Sequence, residues 1–236
     1  LMRSFASLTY EEVQSAIDGS PNDVTKPLLE PVLKPLYAAY DALVAARARR
    51  QPLDLDLPER RIELGDDGTV TSVRFKERLD AHRLIEEFMV LANVAAAETL
   101  IERKVPFLFR VHEEPSPEKL DALRETVQAS GYVLAKGQVL TTAQLNRLLN
   151  DAAALAFAEL INMTTLRSMT QAYYSPTNYG HFGLALPRYA HFTSPIRRYS
   201  DLIVHRALIA AHGWGKEGLS VDDYDALDEI GTHISE

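Results

Sequence analysis

Cysteine is absent from the 236 residues, which excludes a disulfide framework and a cysteine-based metal site and makes a reducing, cytoplasmic setting the expected one. A basic excess is absent too: 25 lysines and arginines stand against 33 aspartates and glutamates, a net charge of −8. Isolated nucleic-acid-binding domains usually carry the opposite balance, because phosphate neutralisation drives their affinity. Any grip on a polyanion must come from cations focused on one cleft, or from domains outside this sequence. No apolar run approaches the ~20 residues of a membrane-spanning helix, and no signal-peptide pattern opens the chain, so no membrane partner is expected. Internal repeats, low-complexity tracts and flexible linkers are missing as well. What is present, 46% hydrophobic and 25% charged residues, is ordinary for a soluble globular protein able to bury a sizeable core.

Periodicity predicts one α+β unit, mostly helical. Thr9-Tyr-Glu-Glu12 has the form of a capping box opening a short helix that ends near Gly19. Leu28 to Val44 carries a long helical stripe ending in Arg47-Ala-Arg-Arg50, with Pro31 and Pro35 placed to kink it or delay its start. Alternation then takes over. Asp54 to Leu57, Arg61 to Leu64 and Thr69 to Val73 read as strands, with Gly65-Asp-Asp-Gly68 as a hairpin loop. Further helices are expected from about Leu79 to Arg103, from Pro117 to Ser130 under a Ser116 cap, after Thr141 or Thr142, and from Ala152 to Tyr173. Val105 to Val111 reads as a short strand. Ser220 caps a last helix whose apolar face (Val221, Tyr224, Leu227, Ile230 and Ile234) is still running near Glu236. Neither that end nor Leu1-Met-Arg3 carries a terminus signal, so the expectation is a piece of a longer protein.

The most informative stretch is Tyr189-Ala-His-Phe-Thr-Ser-Pro-Ile-Arg-Arg-Tyr-Ser-Asp-Leu-Ile-Val-His-Arg206. It predicts a hydroxyl cap at Thr193 or Ser194, proline at the first helical position, and an amphipathic helix stopped by Gly213. Ile196, Leu202, Ile203, Ala207 and Leu208 would form its apolar face. Arg197 and Arg198 then fall in the first turn, where the helix dipole disfavours cations by a few tenths to ~1 kcal/mol. An anion reverses that sign, since free N–H groups, hydroxyls and guanidinium forks converge on it, and phosphate is the natural candidate. The plain structural reading is that these arginines pair with Asp201 or with another domain's acids.

His181-Phe-Gly-Leu-Ala-Leu186, followed by the block from Tyr189 to Tyr199, resembles the ribonuclease II/ribonuclease R family within its RNB catalytic domain. Leu8-Thr-Tyr10, Ile85-Glu-Glu87 with Ala92-Asn93, and Leu166-Arg-Ser-Met169 fall in the family's order. The resemblance covers nearly the whole chain and is closest to the ribonuclease R branch. It implies that residues 1–236 are the C-terminal two-thirds of one RNB catalytic domain, truncated at both ends, mostly helical with a small antiparallel sheet. The family's cold-shock and S1 domains would lie outside this sequence. The implied parent is a monomeric exoribonuclease that hydrolyses single-stranded RNA processively from the 3′ end to nucleoside 5′-monophosphates. Its Mg²⁺ would be held by closely spaced aspartates that lie N-terminal to the segment matching Leu1. This sequence offers no such cluster: Asp54 and Asp56 fall in an alternating strand, Asp66 and Asp67 in a turn, and Asp222, Asp223 and Asp225 in a first helical turn. No metal ligand is expected here, and the chain alone is expected to be inactive.

The resemblance also carries over individual contacts. Arg197 matches the arginine that holds the phosphate near the scissile bond, and its fixed charge and bidentate fork suit that task. Tyr10 matches a tyrosine that positions the 3′-terminal nucleotide, and Glu86 a glutamate that contacts the same nucleotide through its sugar hydroxyls. Thr193, Ser194, Arg198 and His191 are the accompanying RNA-binding candidates. Leu55 stands where the family clamps terminal bases with phenylalanine; leucine can cover a base but cannot stack, and stacking is worth ~1–3 kcal/mol per base. Plain counterparts exist for several: Tyr10 packing on the long helix, Glu86 in a surface ion pair, His205 packed or hydrogen-bonded. Two alternatives stay open, a non-catalytic RNA-binding fragment or inactive paralogue, and a helical interaction module with no RNA role.

Overall fold

The computed structural model describes residues 3–236 apart from 56–59, 66, 76–77, 130, 132–133 and 135–139. The described residues are mostly helical with two small antiparallel sheets, in keeping with the α+β expectation. They gather into two compact units, residues 1–49 with 58–90 and residues 50–57 with 91–236.

In the first unit, α1 (Tyr10–Ile17) begins at a reciprocal capping box: the Glu12 N–H donates to Thr9 Oγ1, and the Thr9 N–H donates to the Glu12 carboxylate at 2.8 Å. The helical stripe that follows is broken into α2 (Lys26–Leu28), a π-helical turn (Leu29–Leu33) and α3 (Lys34–Arg50). Pro27, Pro31 and Pro35 recur every fourth residue, each removing the N–H that would reach back one turn, so the helix widens where its ladder is broken. β1 (Arg60–Leu64) and β2 (Val70–Phe75) pair as a hairpin with Ile62 opposite Val73, and an irregularity at Glu63/Leu64. Ile62, Leu64, Val70, Val73 and Phe75 of this hairpin are all exposed.

The long helix α4 (Asp80–Glu102) gives its first half to the first unit and its second half to the other. In the second unit, β3 (Phe109–Val111) and β4 (Tyr173–Ser175) pair with Val111 opposite Tyr173. One core joins Ala97 and Leu100 of α4, Phe107, Leu108, Phe109 and Val111, and Ile203, Val204 and Ala207 of α8 (Tyr199–His212). A second core joins α5 (Pro117–Ala129), α6 (Thr142–Ala152) and α7 (Ala158–Ser168) through Leu123, Val127, Leu145, Leu149 and Ile161. No helix among the described residues is long and apolar enough to cross a membrane.

Three sequence expectations are corrected. Asp54 and Leu55 lie in no strand (Asp56 and Leu57 fall outside the described residues). The segment is instead pinned by single bonds, from the Leu53 N–H to the Gly183 carbonyl at 2.8 Å and from the Asp54 N–H to Asn146 Oδ1 at 2.9 Å. The helix expected from Ala152 to Tyr173 is interrupted before α7 and ends at Ser168, because Tyr173 and Tyr174 are drawn into the ladder with β3. The last helix is two, α9 (Val221–Asp225) under its Ser220 cap and α10 (Leu227–His233). Leu227 is buried and Tyr224 and Ile230 pack on the first core, but Val221 is exposed.

Candidate nucleic-acid interface

The segment from Tyr189 to Arg198 is an irregular strap within the second unit, its backbone anchored there by the side chains of Asn93, His205 and Asp201 and by the Arg110 N–H on the Tyr189 carbonyl. Asn93, buried on α4, donates to the Tyr189 hydroxyl at 2.8 Å and accepts the N–H groups of Phe192 and Thr193. His205 of α8 bonds the Phe192 carbonyl at 2.9 Å and stacks on its ring, centroids 4.4 Å apart, so it is a packed histidine. Asp201, fully buried, accepts the Ser194 N–H at 2.7 Å and both forks of Arg198 at 2.8 and 2.9 Å.

That third anchor overturns the expected cap. The helix begins at Tyr199, with Arg198 at its N-cap in extended geometry, and neither Thr193 nor Ser194 caps it. Arg197 and Arg198 therefore precede the first turn. The Asp201 carboxylate reaches back from that turn and gathers the strap's own donors, the work a capping hydroxyl would otherwise do. Pro195 and Ile196 form a turn, and Ile196 is fully exposed rather than on the apolar face. Leu202 is also exposed, while Ile203 and Ala207 are buried as expected. Gly213 ends the helix at φ 65°, a left-handed conformation that favours glycine.

The two arginines have different fates. Arg198 is half-buried and locked to Asp201, which fits the plain reading. Arg197 is exposed, and among the described residues its guanidinium has no ion-pair partner. The Thr193 and Ser194 side-chain hydroxyls likewise make no bond to a described residue. His191 is half-buried, with Nδ1 2.9 Å from the Tyr174 hydroxyl. Burial, then the cations Arg198 and Arg110, push its pKa down to about 4, with Asp201 opposing them. Asp201 would be raised by its burial, but the bonds from Arg198 and the Ser194 N–H win and hold it below its ordinary value.

Of the other candidates, Tyr10 and Glu86 belong to the first unit and Leu55 to the second. Tyr10, at the start of α1, is partly exposed and stacks on His82 of α4 at 4.1 Å, in line with the plain packing reading. Glu86 bonds Arg78 and lies 3.9 Å from Arg47, whereas Glu87 is buried and takes Arg47 at 2.8 Å. Leu55 is half-buried and packs against the second core. Two side chains central to the strap were not singled out from sequence. In the sequence Asn93 stands only within the Ala92-Asn93 match, yet a lone amide before Val-Ala-Ala-Ala97 is a usable signal. Arg110, in a short strand, gave none.

Among the described residues no three His, Asp or Glu side chains gather as metal ligands, and Asp223 is committed to the Ser220 cap and Arg206.

The strap thus presents an arginine and two hydroxyls that have no partner among the described residues, donors of the kind an anion accepts. The RNB domain model matches residues 1–213, and the chain belongs to the RNB domain family. It is similar to ribonuclease R of Aquifex aeolicus, 39% identical across the whole of this chain and 33% of that protein. Ribonuclease R of Escherichia coli is 36% identical, over the whole of this chain and 30% of that protein. The solved structure of Mycoplasma genitalium RNase R in complex with ribose methylated single-stranded RNA is 28% identical and superposes with a TM-score of 0.83, covering 96% of this chain and 36% of that one. The chain thus spans about a third of the length of the curated relatives it matches.

Proposed function

We propose that this chain is part of a hydrolytic exoribonuclease that degrades single-stranded RNA processively from its 3′ end to nucleoside 5′-monophosphates. The observation that carries the reading is the contrast on the strap: Asp201 neutralises Arg198, and Arg197 is left exposed beside two free hydroxyls. A phosphodiester supplies the missing anion. Arg197 receives two phosphate oxygens in its planar fork, orients the scissile group, and stabilises the charge that grows on those oxygens in the transition state. Arg198 holds the strap's shape through Asp201, and Thr193 and Ser194 donate their hydroxyls to the same backbone. His191 lies beside the arginines that make these contacts.

Tyr10 takes the terminal nucleotide against its ring, and Glu86 accepts from its sugar hydroxyls, which selects RNA over DNA. Leu55 covers a base face without stacking. Closely spaced aspartates N-terminal to this sequence, in a monomeric, cytoplasmic parent, would hold magnesium, which would supply an activated water there; on this reading the chain alone is inactive. The RNA bound by the Mycoplasma relative supports RNA as the partner here.

The test follows a labelled single-stranded RNA with Mg²⁺, using this chain and the same chain extended N-terminally to take in the proposed aspartates. Activity confined to the extended form is the expected result. Metal-dependent activity of the chain alone would overturn the incomplete site. Inactivity of both, with RNA binding retained, would favour the non-catalytic alternative.

A further inference from the structure

Arg110 sits in β3 between the buried Phe109 and Val111, so alternation points its side chain away from the core. Its guanidinium lies over the Tyr174 ring, 4.6 Å from the centroid. Among the described residues it has no carboxylate partner, and its side chain makes no hydrogen bond. Across the same ring, the Tyr174 hydroxyl meets His191 Nδ1. Three guanidinium groups, those of Arg110, Arg197 and Arg198, act on His191, with Asp201 the opposing charge. Both Asp201 oxygens are already bonded to Arg198, so two positive charges around the imidazole stay uncompensated. Tyr189 and His181 also lie around this cluster, and Asp228 and Glu236 line a pocket together with Tyr174.

The histidines here differ in what they can do with a proton. His112 Nδ1 accepts the Gly183 N–H, and His181 Nδ1 accepts the Leu184 N–H, so each holds a loop only while that nitrogen is unprotonated. His191 is bonded instead to a phenol hydroxyl, which can either donate or accept.

We infer that Arg110, Tyr174 and His191 form a second phosphate-receiving site of this chain, and that a phosphate bound there brings one proton from solvent onto His191. The inference rests on the RNA-binding reading above. The anion supplies the charge the cluster lacks, which makes the imidazole more basic. With both ring nitrogens protonated, His191 donates to the Tyr174 oxygen. The Tyr174 O–H is thereby released to donate to the phosphate that Arg110 holds in its fork. One proton passes from a buffer acid to the ring: the acid loses its bond to that proton, and the second ring nitrogen gains an N–H bond.

Titration calorimetry with a short single-stranded oligoadenylate, slightly acid of neutral and in buffers of differing ionisation enthalpy, reads affinity and proton uptake together. Thermal melts check that each variant folds. The wild-type chain is expected to take up a proton on binding. Arg110→Ala should weaken binding about tenfold or more, the scale of one charge-assisted hydrogen bond. It should also flatten the log–log salt dependence by ~0.7, one single-strand phosphate contact. Arg110→Lys should keep that slope, and His191→Gln should abolish the proton uptake. Tyr174→Phe, which keeps the ring beneath Arg110, should diminish the uptake and stands in if Arg110→Ala does not fold. If Arg197→Ala weakens binding while the Arg110 and His191 variants leave affinity, slope and uptake unchanged, the second site is wrong and the RNA-binding reading stands. If the wild-type chain binds no oligoadenylate, or Arg197→Ala is as inert as the others, both fall.

Discussion

The acids of α4 and the arginines of the strap are adjacent pairs of like charge, and the fold treats them differently. On α4 both members are compensated: Glu87 is buried against Arg47, and Glu86 is bonded to Arg78. On the strap one member is compensated and the other is not, since Asp201 takes Arg198 and leaves Arg197 exposed. The first region is electrostatically complete without a ligand. The second holds a cation and two hydroxyls in reserve. A net charge of −8 therefore says little about where an anion binds. What decides is whether a carboxylate lies within reach of each guanidinium, and that is a tertiary property.

Asp201 is where the comparison breaks hardest. Replacing it with alanine leaves the half-buried Arg198 unpaired and the Ser194 N–H without its acceptor. Removing one partner of a buried, hydrogen-bonded ion pair costs about 3–5 kcal/mol, and denaturant unfolding of Asp201→Ala should show a loss of that size. Because the folded carboxyl is held below its ordinary value, its contribution is fully present above the ordinary carboxylate range. It is lost as pH falls through the lowered folded value. The difference between wild type and Asp201→Ala should therefore shrink only in strong acid.

Arg197→Ala should do the reverse. With no partner in the fold, its loss should move stability by no more than about 0.5 kcal/mol, the scale of an ordinary surface substitution. RNA affinity should fall by about 1.5–3 kcal/mol, the worth of a hydrogen bond to a charged group. Arg198→Ala should destabilise clearly, because it strands the buried Asp201 carboxylate. Equal destabilisation by the two arginine variants would erase the distinction between them.

Part of this was legible before the fold. The Ser-Pro-Ile-Arg-Arg string pointed to the strap, and Thr9, Thr141 and Ser220 cap their helices as their spacing implied. Ile196 was misplaced because a local rule, proline at the first helical position, lost to a longer-range one, a buried carboxylate one turn further on. Tyr173 left its helix for a strand partner more than sixty residues earlier in the chain. Arg110 was invisible for a different reason. An alternating Phe-Arg-Val looks like any half-exposed strand, and a missing counter-ion cannot be seen until every carboxylate has been placed.

His181 and His191 sharpen the comparison through pH. Burial first, then His112 and Arg110, bring His181 down to about 3, and His191 stands at about 4, against an ordinary 6.5. Their neutral forms stabilise the fold fully above the ordinary value, and that contribution is lost as pH falls from there towards the folded values. Thermal unfolding near pH 5 should show about 1–2 kcal/mol less stability per histidine than at neutrality. His191→Gln should lessen the fall. If added phosphate restored the lost stability in the His191→Gln variant as well as in wild type, the histidine would not be what the anion stabilises.

The smallest effect tests the acidic side. Glu86 is 36% exposed and Arg78 more so, and such surface pairs contribute ~0.2–1 kcal/mol. Glu86→Gln should therefore barely move the unfolding midpoint, while Glu87→Gln, at 6% exposure and facing Arg47, should lower it clearly. A glutamine in place of Glu86 accepts a sugar hydroxyl less strongly than a carboxylate does. The preference for an oligoribonucleotide over its deoxyribo counterpart should therefore narrow in Glu86→Gln and hold in a destabilised but folded Glu87→Gln. Were Glu86→Gln to destabilise as much as Glu87→Gln and leave the sugar preference untouched, Glu86 would be a structural acid like its neighbour, with no part in reading the sugar.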